Sequence, residues 1–247
     1  MSGTDYQSDT LNAFTPEPSE ARRVVVLISG SGSNLQALID AQSHDALGGE
    51  IVAVISNQPD AYGLKRARDA GIDAVALPHR EYDSRDAYDG ALIKVIERHE
   101  PDLIVLAGFM RILTPRFVNR FLGRMLNIHP SLLPAYQGLH THSRALADGV
   151  ATHGCSVHFV TEELDGGPVA LQAEVAVAED DTEESLQTKV QTREHLIYPI
   201  AVRWFLEGRL QLKGDSASMD GVALPPSGMR LSHADAAEEL DEDGDSE

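Results

Sequence analysis

Residues 127–134 read NIHPSLLP, directly after the apolar stretch GRML. In an extended strand Asn127 and His129 leave the chain on one face, with Ile128 on the other. An amide can donate to an oxygen that gains charge, and an imidazole can carry a proton near neutral pH. A carboxylate beside that imidazole would favour its protonated form. Asp165, in EELDGGP, is the candidate, because a glycine-rich turn can bring one loop against another. Together the three predict a centre that stabilises an oxyanion and moves a proton. Taken alone, a histidine at a strand end is more often a structural hydrogen-bonder.

Two further stretches could bind ligands. SGSGSNL (Ser29 to Leu35) stands between an apolar strand and an amphipathic helix. Small residues there let backbone amides approach an anion, and the helix N-terminus adds its positive dipole end. Leu35 occupies the place of the third glycine of a dinucleotide fingerprint, and the lysine of a P-loop is missing, so a monophosphate fits better than a pyrophosphate. A plain strand-to-helix turn would use the same residues. GFMRIL (Gly108 to Leu113) follows another apolar strand, where open α/β sheets place their ligands. Its Phe, Met, Ile and Leu suit a flat apolar ligand, or ordinary packing of a loop on the core. His140, His142, His153 and His158 are close in sequence, but their spacing matches no standard zinc set and no cysteine pair supports one, so no metal is expected. The single cysteine, Cys155, reads as packing and suits a reducing cytoplasm.

The elements that must position these residues alternate. RRVVVLI, EIVAVISN, IDAVALP, DLIVLAGF and RMLNIH read as strands; between them lie helical patterns after SGSGSN, in AYGLKRARDAG, in SRDAYDGALIKVIERHEP and around TPRFVNRF. Near-continuous apolar strands alternating with helices predict a doubly wound, mostly parallel α/β sheet covered on both faces. GCSVHF and PVALQAEVAV then read as an antiparallel addition joined by a glycine-containing turn region. A long helix opens at DTEE with an N-cap and early acidic residues, and RLQLKG is expected to finish the body as a short strand. The expected divisions are a disordered leader at 1–21, one catalytic domain at 22–213, a C-terminal extension at 214–232 and an acidic disordered tail at 233–247.

Composition sets outer limits. An apolar fraction of 42% supports a substantial core, and no apolar run reaches 18 residues, so no membrane span is expected. The formal charge of −19 argues against a nucleic-acid partner, which needs cationic patches. Anionic substrates must be held by local donors against that field.

Four motifs in order, VVLISGSGSNLQALID, PDLIVLAGFMRIL, NIHPSLLPAYQGLHTH and SVHFVTEELDGGPVALQ, resemble the phosphoribosylglycinamide formyltransferases of purine synthesis. The likeness runs from about Arg23 to Lys213. It implies a Rossmann-like formyltransferase fold and transfer of a formyl group from 10-formyltetrahydrofolate, a cosubstrate, to the amine of glycinamide ribonucleotide. No metal is implied, and the protein is expected to be a cytoplasmic monomer or homodimer acting on small molecules. By resemblance, Asn127, His129 and Asp165 match the catalytic trio. Gly32, Ser33 and Asn34, with Gln191, Thr192, Arg193 and Glu194, match the nucleotide contacts. Arg85, Met110, Arg111, Ile112 and Leu113, with Asn127 and the run Thr161, Glu162, Glu163, Leu164 and Asp165, match the donor site. Ser31 departs from the asparagine common in relatives, while its neighbours match. A formyltetrahydrofolate deformylase or another folate-dependent formyltransferase is the alternative; the chain is too short before the sheet for the deformylase's regulatory domain, and lacks the added domain of a tRNA formyltransferase.

Overall fold

The computed structural model describes residues 21–231. The expected leader (save residue 21) and acidic tail lie outside the described residues. Strands β1 (Arg23–Ile28), β2 (Glu50–Ser56), β3 (Asp73–Ala76), β4 (Leu103–Leu106) and β5 (Met125–His129) alternate with helices α1 (Ser33–Ser43), α2 (Tyr62–Asp69), α3 (Arg85–Glu97) and α4 (Pro115–Arg120). After β5 come α5 (Thr141–Ala147), β6 (Thr152–Phe159), β7 (Val169–Ala176) and α6 (Glu183–Leu206). The chain then forms β8 (Leu210–Lys213), β9 (Ser216–Met219), β10 (Val222–Ala223) and β11 (Met229–Arg230).

Eight strands make one sheet in the order β11-β7-β6-β5-β4-β1-β2-β3. From β3 to β5 all pairs are parallel; β6 pairs antiparallel with both β5 and β7. The doubly wound sheet and its antiparallel addition are thus as the strand pattern indicated. The reason is visible in β1. Val24, Val26 and Ile28 feed a core under α1 and α6, while Val25 and Leu27 feed a second core under α3 and α4. A strand buried on both faces has no polar alternate, hence its unbroken apolar run. The N-cap expected at DTEE is a reciprocal box, Thr182 Oγ1 accepting from Ser185 N and Thr182 N donating to Ser185 Oγ.

The expectation that RLQLKG closes the body is corrected. β8 is not in the main sheet; it joins β9 and β10 in a separate three-stranded antiparallel sheet, and β11 returns to pair in parallel with β7. Ala217 and Met219 are buried in the larger core. Strands of two to four residues, separated by Gly214, Gly221 and Gly228 at positive φ, are too short to show a period of two. Helix α5 and a single 3-10 turn at His79–Glu81 also lay outside the sequence reading. Among the described residues no helix is long and apolar enough to cross a membrane.

Candidate active site

The parallel strands run outward from β1 in two directions, β2 then β3 on one side and β4 then β5 on the other, leaving a crevice at the carboxyl ends of β1 and β4. The Gly30–Asn34 loop follows β1, the Gly108–Leu113 loop follows β4, and Asn127–His129 form the carboxyl end of the neighbouring β5. Tyr198 of α6 ties two of them together, its hydroxyl lying 2.9 Å from Leu106 O and 3.0 Å from Leu126 O.

Register places the polar centre. Asn127 stands opposite His158, and His129 opposite Ser156, across the β5–β6 ladder. His158 Nδ1 lies 2.9 Å from Phe159 O, and Nε2 lies 3.0 Å from Asn127 Nδ2. A proton on Nδ1 satisfies the carbonyl and leaves a lone pair on Nε2 to accept from the Asn127 amide. Burial pushes the His158 pKa down to about 4, so the ring is neutral at pH 7 and can play that accepting part. His129 is 6% exposed. Its Nε2 lies 3.0 Å from Tyr136 O and its Nδ1 lies 3.5 Å from Asp165 Oδ2. Each ring nitrogen therefore faces an oxygen acceptor.

Asp165 reaches this point on the 160–168 segment that follows β6. Gly167 permits the turn: a Cβ there would fall 1.9 Å from Phe159 O. Asp165 adopts φ 50, and its Oδ2 also accepts from Gly138 N at 2.9 Å. The carboxylate thus spans His129, Gly138 and, at 3.9 Å, His158. The structure brings Asn127, His129 and Asp165 together.

A second cluster joins the β1 loop to α6. Gln191 Nε2 donates to Ser33 Oγ at 2.8 Å, and Asn34 Nδ2 donates to Glu194 Oε2 at 2.8 Å. Gly32 caps α1 at φ 71 and packs on Gly63 so closely that a Cβ on Gly32 would lie 2.8 Å from Gly63 Cα. Glu194 is buried, which raises its carboxyl pKa against the lowering effect of the Asn34 bond. Asn34 Oδ1 and Arg193 Nη1 are buried without a protein partner. Thr192 does not converge on this cluster; it is exposed and its hydroxyl donates to Thr188 O on its own helix.

The third group is more open. Met110 and Ile112 are 69% and 57% exposed, and Leu164 is 54% exposed. The Arg111 guanidinium lies 4.5 Å from the Tyr88 ring centroid. Arg85, one turn before Tyr88 on α3, is exposed. Glu162 accepts from Asn119 at 2.7 Å, Thr161 is half-buried, and Glu163 is exposed. A cleft of about 760 Å³ shares Thr161, Glu162, Glu163 and Asp165 with this group, but Asn127, His129 and Met110 to Leu113 do not line it.

His158 was read in sequence only as a member of a histidine cluster. Its role beside Asn127 follows from the β5–β6 register, which the residue pattern does not reveal. Of the other histidines, His142 and His153 pair at 3.2 Å, and burial lowers the pKa of both. Among the described residues no three His, Cys, Asp or Glu side chains form a metal-ligand set. Burial raises the Cys155 thiol pKa, so it is packing rather than a nucleophile.

The formyl transferase family matches residues 22–202. A protein of Escherichia coli strain K12 named phosphoribosylglycinamide formyltransferase is 57% identical over 205 residues, 83% of this chain and 97% of that one. The human trifunctional purine biosynthetic protein adenosine-3 is 45% identical over 201 residues, 81% of this chain and 20% of that one. A solved phosphoribosylglycinamide formyltransferase from Coxiella burnetii superposes with a TM-score of 0.83 at 51% identity, covering 86% of this chain and all of that one.

Proposed function

The chain belongs to the formyl transferase family, and its reaction is formyl transfer to N1-(5-phospho-D-ribosyl)glycinamide in purine biosynthesis; we propose that 10-formyltetrahydrofolate is the donor and that Asn127, His129 and Asp165 carry the step. The observation that supports this assignment best is the convergence of the three side chains, with His158 behind them, at the carboxyl end of β5. The Gly32–Asn34 loop with Gln191 and Glu194 takes the nucleotide, its phosphate on the backbone amides at the start of α1. Arg193 lies on the same stretch of α6. Met110 to Leu113 and Thr161 to Asp165 take the donor's ring system, with Arg85 at the outer end toward its acidic tail.

The neutral amine of the acceptor attacks the formyl carbon, whose oxygen becomes an oxyanion. Asn127 and protonated His129 donate to that oxygen. Asp165 holds the His129 ring in orientation and balances its charge. A proton leaves the attacking nitrogen and reaches the donor's bridging nitrogen, and the carbon–nitrogen bond to the folate then breaks. Tetrahydrofolate and the N-formyl product result. In the structure His129 Nε2 lies against Tyr136 O, so the formyl oxygen has to replace that carbonyl as its partner. Neutral His158, accepting one N–H of Asn127, leaves the other free for the oxyanion.

We place the reaction in the cytoplasm, in keeping with the single thiol Cys155, and take the working unit to be a monomer or homodimer. The test is turnover of His129→Asn with the fold followed by circular dichroism. A loss of roughly 100- to 1,000-fold is expected, the range for one oxyanion donor. A folded variant with most of its activity would remove His129 from the mechanism.

A further inference from the structure

Ser29 stands at the start of the phosphate loop, yet its hydrogen bonds go to the other loop. Its backbone N–H donates to Gly108 O at 3.1 Å, and its Oγ accepts from Met110 N at 2.8 Å. A hydroxyl has one proton and two lone pairs. That proton goes to Asn57 Oδ1 at 2.5 Å. Asn57 follows the end of β2 and is 3% exposed, with its Nδ2 3.2 Å from His79 Nδ1. One residue thus holds the Gly108–Met110 backbone at two points, and a buried amide holds the residue's hydroxyl.

The held stretch includes a left-handed backbone turn. Gly108 sits at φ 76, and a Cβ built on it would meet nothing within 4 Å. It is therefore conformation, not space, that asks for glycine here, and glycine carries the widest backbone freedom. The left-handed turn sends Phe109 into the core at 8% exposure and leaves Met110 outside at 69%. A side chain at Gly108 would strain the turn that directs those two side chains.

We infer that Ser29, backed by Asn57, is a positioning residue that sets the shape of the Gly108–Leu113 loop for the donor's ring system. It thereby ties the donor loop to the strand end from which the phosphate loop begins. This rests on the reading of Gly108–Leu113 as the donor loop. Ser29 acts through the Met110 backbone rather than by touching the reacting atoms.

Steady-state kinetics with both substrates varied test it, on wild type, Ser29→Ala, Asn57→Ala, the double variant and Ser29→Thr. Ser29→Ala leaves the Met110 N–H without its acceptor and is expected to raise KM for 10-formyltetrahydrofolate roughly fivefold to thirtyfold. KM for the ribonucleotide should stay within about twofold, because the Gln191 and Glu194 contacts are untouched. Asn57→Ala should act in the same direction, and the double variant should be no worse than the stronger single one, since both interrupt one chain of bonds. Ser29→Thr keeps the oxygen and should return donor KM toward wild type. An unchanged donor KM in folded Ser29→Ala, or an equal rise in both KM values, overturns the inference. If Ser29→Ala does not fold, Asn57→Ala gives the same two readings. A wild-type protein that transfers no formyl group to the ribonucleotide overturns the functional reading; an active wild type with unaltered donor KM in the variants overturns the clamp alone.

Discussion

Asn127 and His158 face each other across an antiparallel ladder, Nδ2 to Nε2 at 3.0 Å, and burial holds the imidazole neutral. That neutrality has a consequence for stability. His158 titrates at about 4 in the folded protein, against about 6.5 for an unperturbed histidine. Between those values the unfolded chain binds the additional proton, so stability is present above pH 6.5 and is lost as pH falls toward 4. His153, also lowered to about 4 mainly by burial, adds loss in the same window. The two losses have the same sign and fall in the same pH window. Denaturant unfolding measured at pH 7 and pH 4.5 should show this fall, and His158→Gln should show a smaller one. Equal slopes in the two proteins would mean that the ring is not held neutral.

Asp165 should matter through charge as well as shape. Asp165→Asn keeps an oxygen able to accept from Gly138 N, but removes the negative charge 3.5 Å from His129 Nδ1. Turnover at pH 7 is expected to fall by about tenfold or more, corresponding to about 1.4 kcal/mol or more of lost transition-state stabilisation. Near-wild-type turnover would assign Asp165 to loop structure alone.

How much of this was legible in the sequence depends on distance along the chain. Asn127 and His129 share a strand, so their common face follows from a period of two. The doubly wound sheet follows from unbroken apolar runs such as that of β1. His158 and Asn127 are 31 residues apart, and only the register of β6 on β5 brings them together. Ser29 lies in the SGSGSNL loop, but its partners at Gly108, Met110 and Asn57 are set by neighbouring strand ends. The sheet of β8, β9 and β10 was missed because its strands are short and its cohesion comes from tertiary packing of Ala217 and Met219.

The loop proposed to take the nucleotide should be intolerant of one methyl group. Gly32→Ala combines a left-handed φ of 71 with a Cβ 2.8 Å from the Gly63 backbone. A rise of roughly tenfold in KM for the ribonucleotide is expected, with donor KM less affected. Isothermal titration with the ribonucleotide checks it; unchanged affinity would separate this loop from nucleotide binding.

Truncation tests whether the C-terminal strands belong to the cooperative unit. Ending the chain after Lys213 removes β9, β10 and β11, and with them buried Ala217 and Met219 and the pairing on β7. A loss of about 2–3 kcal/mol is expected from the Met219 side chain and its surroundings, or roughly 5–10 °C in Tm for a body of this size. Calorimetry decides, and an unchanged Tm would show that the module is not part of the cooperative unit.

The most direct test of the proposed reaction follows the formyl carbon itself. Purified protein is mixed with 10-formyltetrahydrofolate labelled with carbon-13 in the formyl group, with and without N1-(5-phospho-D-ribosyl)glycinamide, and the label is traced by nuclear magnetic resonance. The label should move onto the glycinamide nitrogen only when the ribonucleotide is present, in step with tetrahydrofolate formation, and His129→Asn should slow that transfer by roughly 100- to 1,000-fold. Label released as formate at the same rate with or without the ribonucleotide would contradict the account, because water rather than the amine would then be the acceptor.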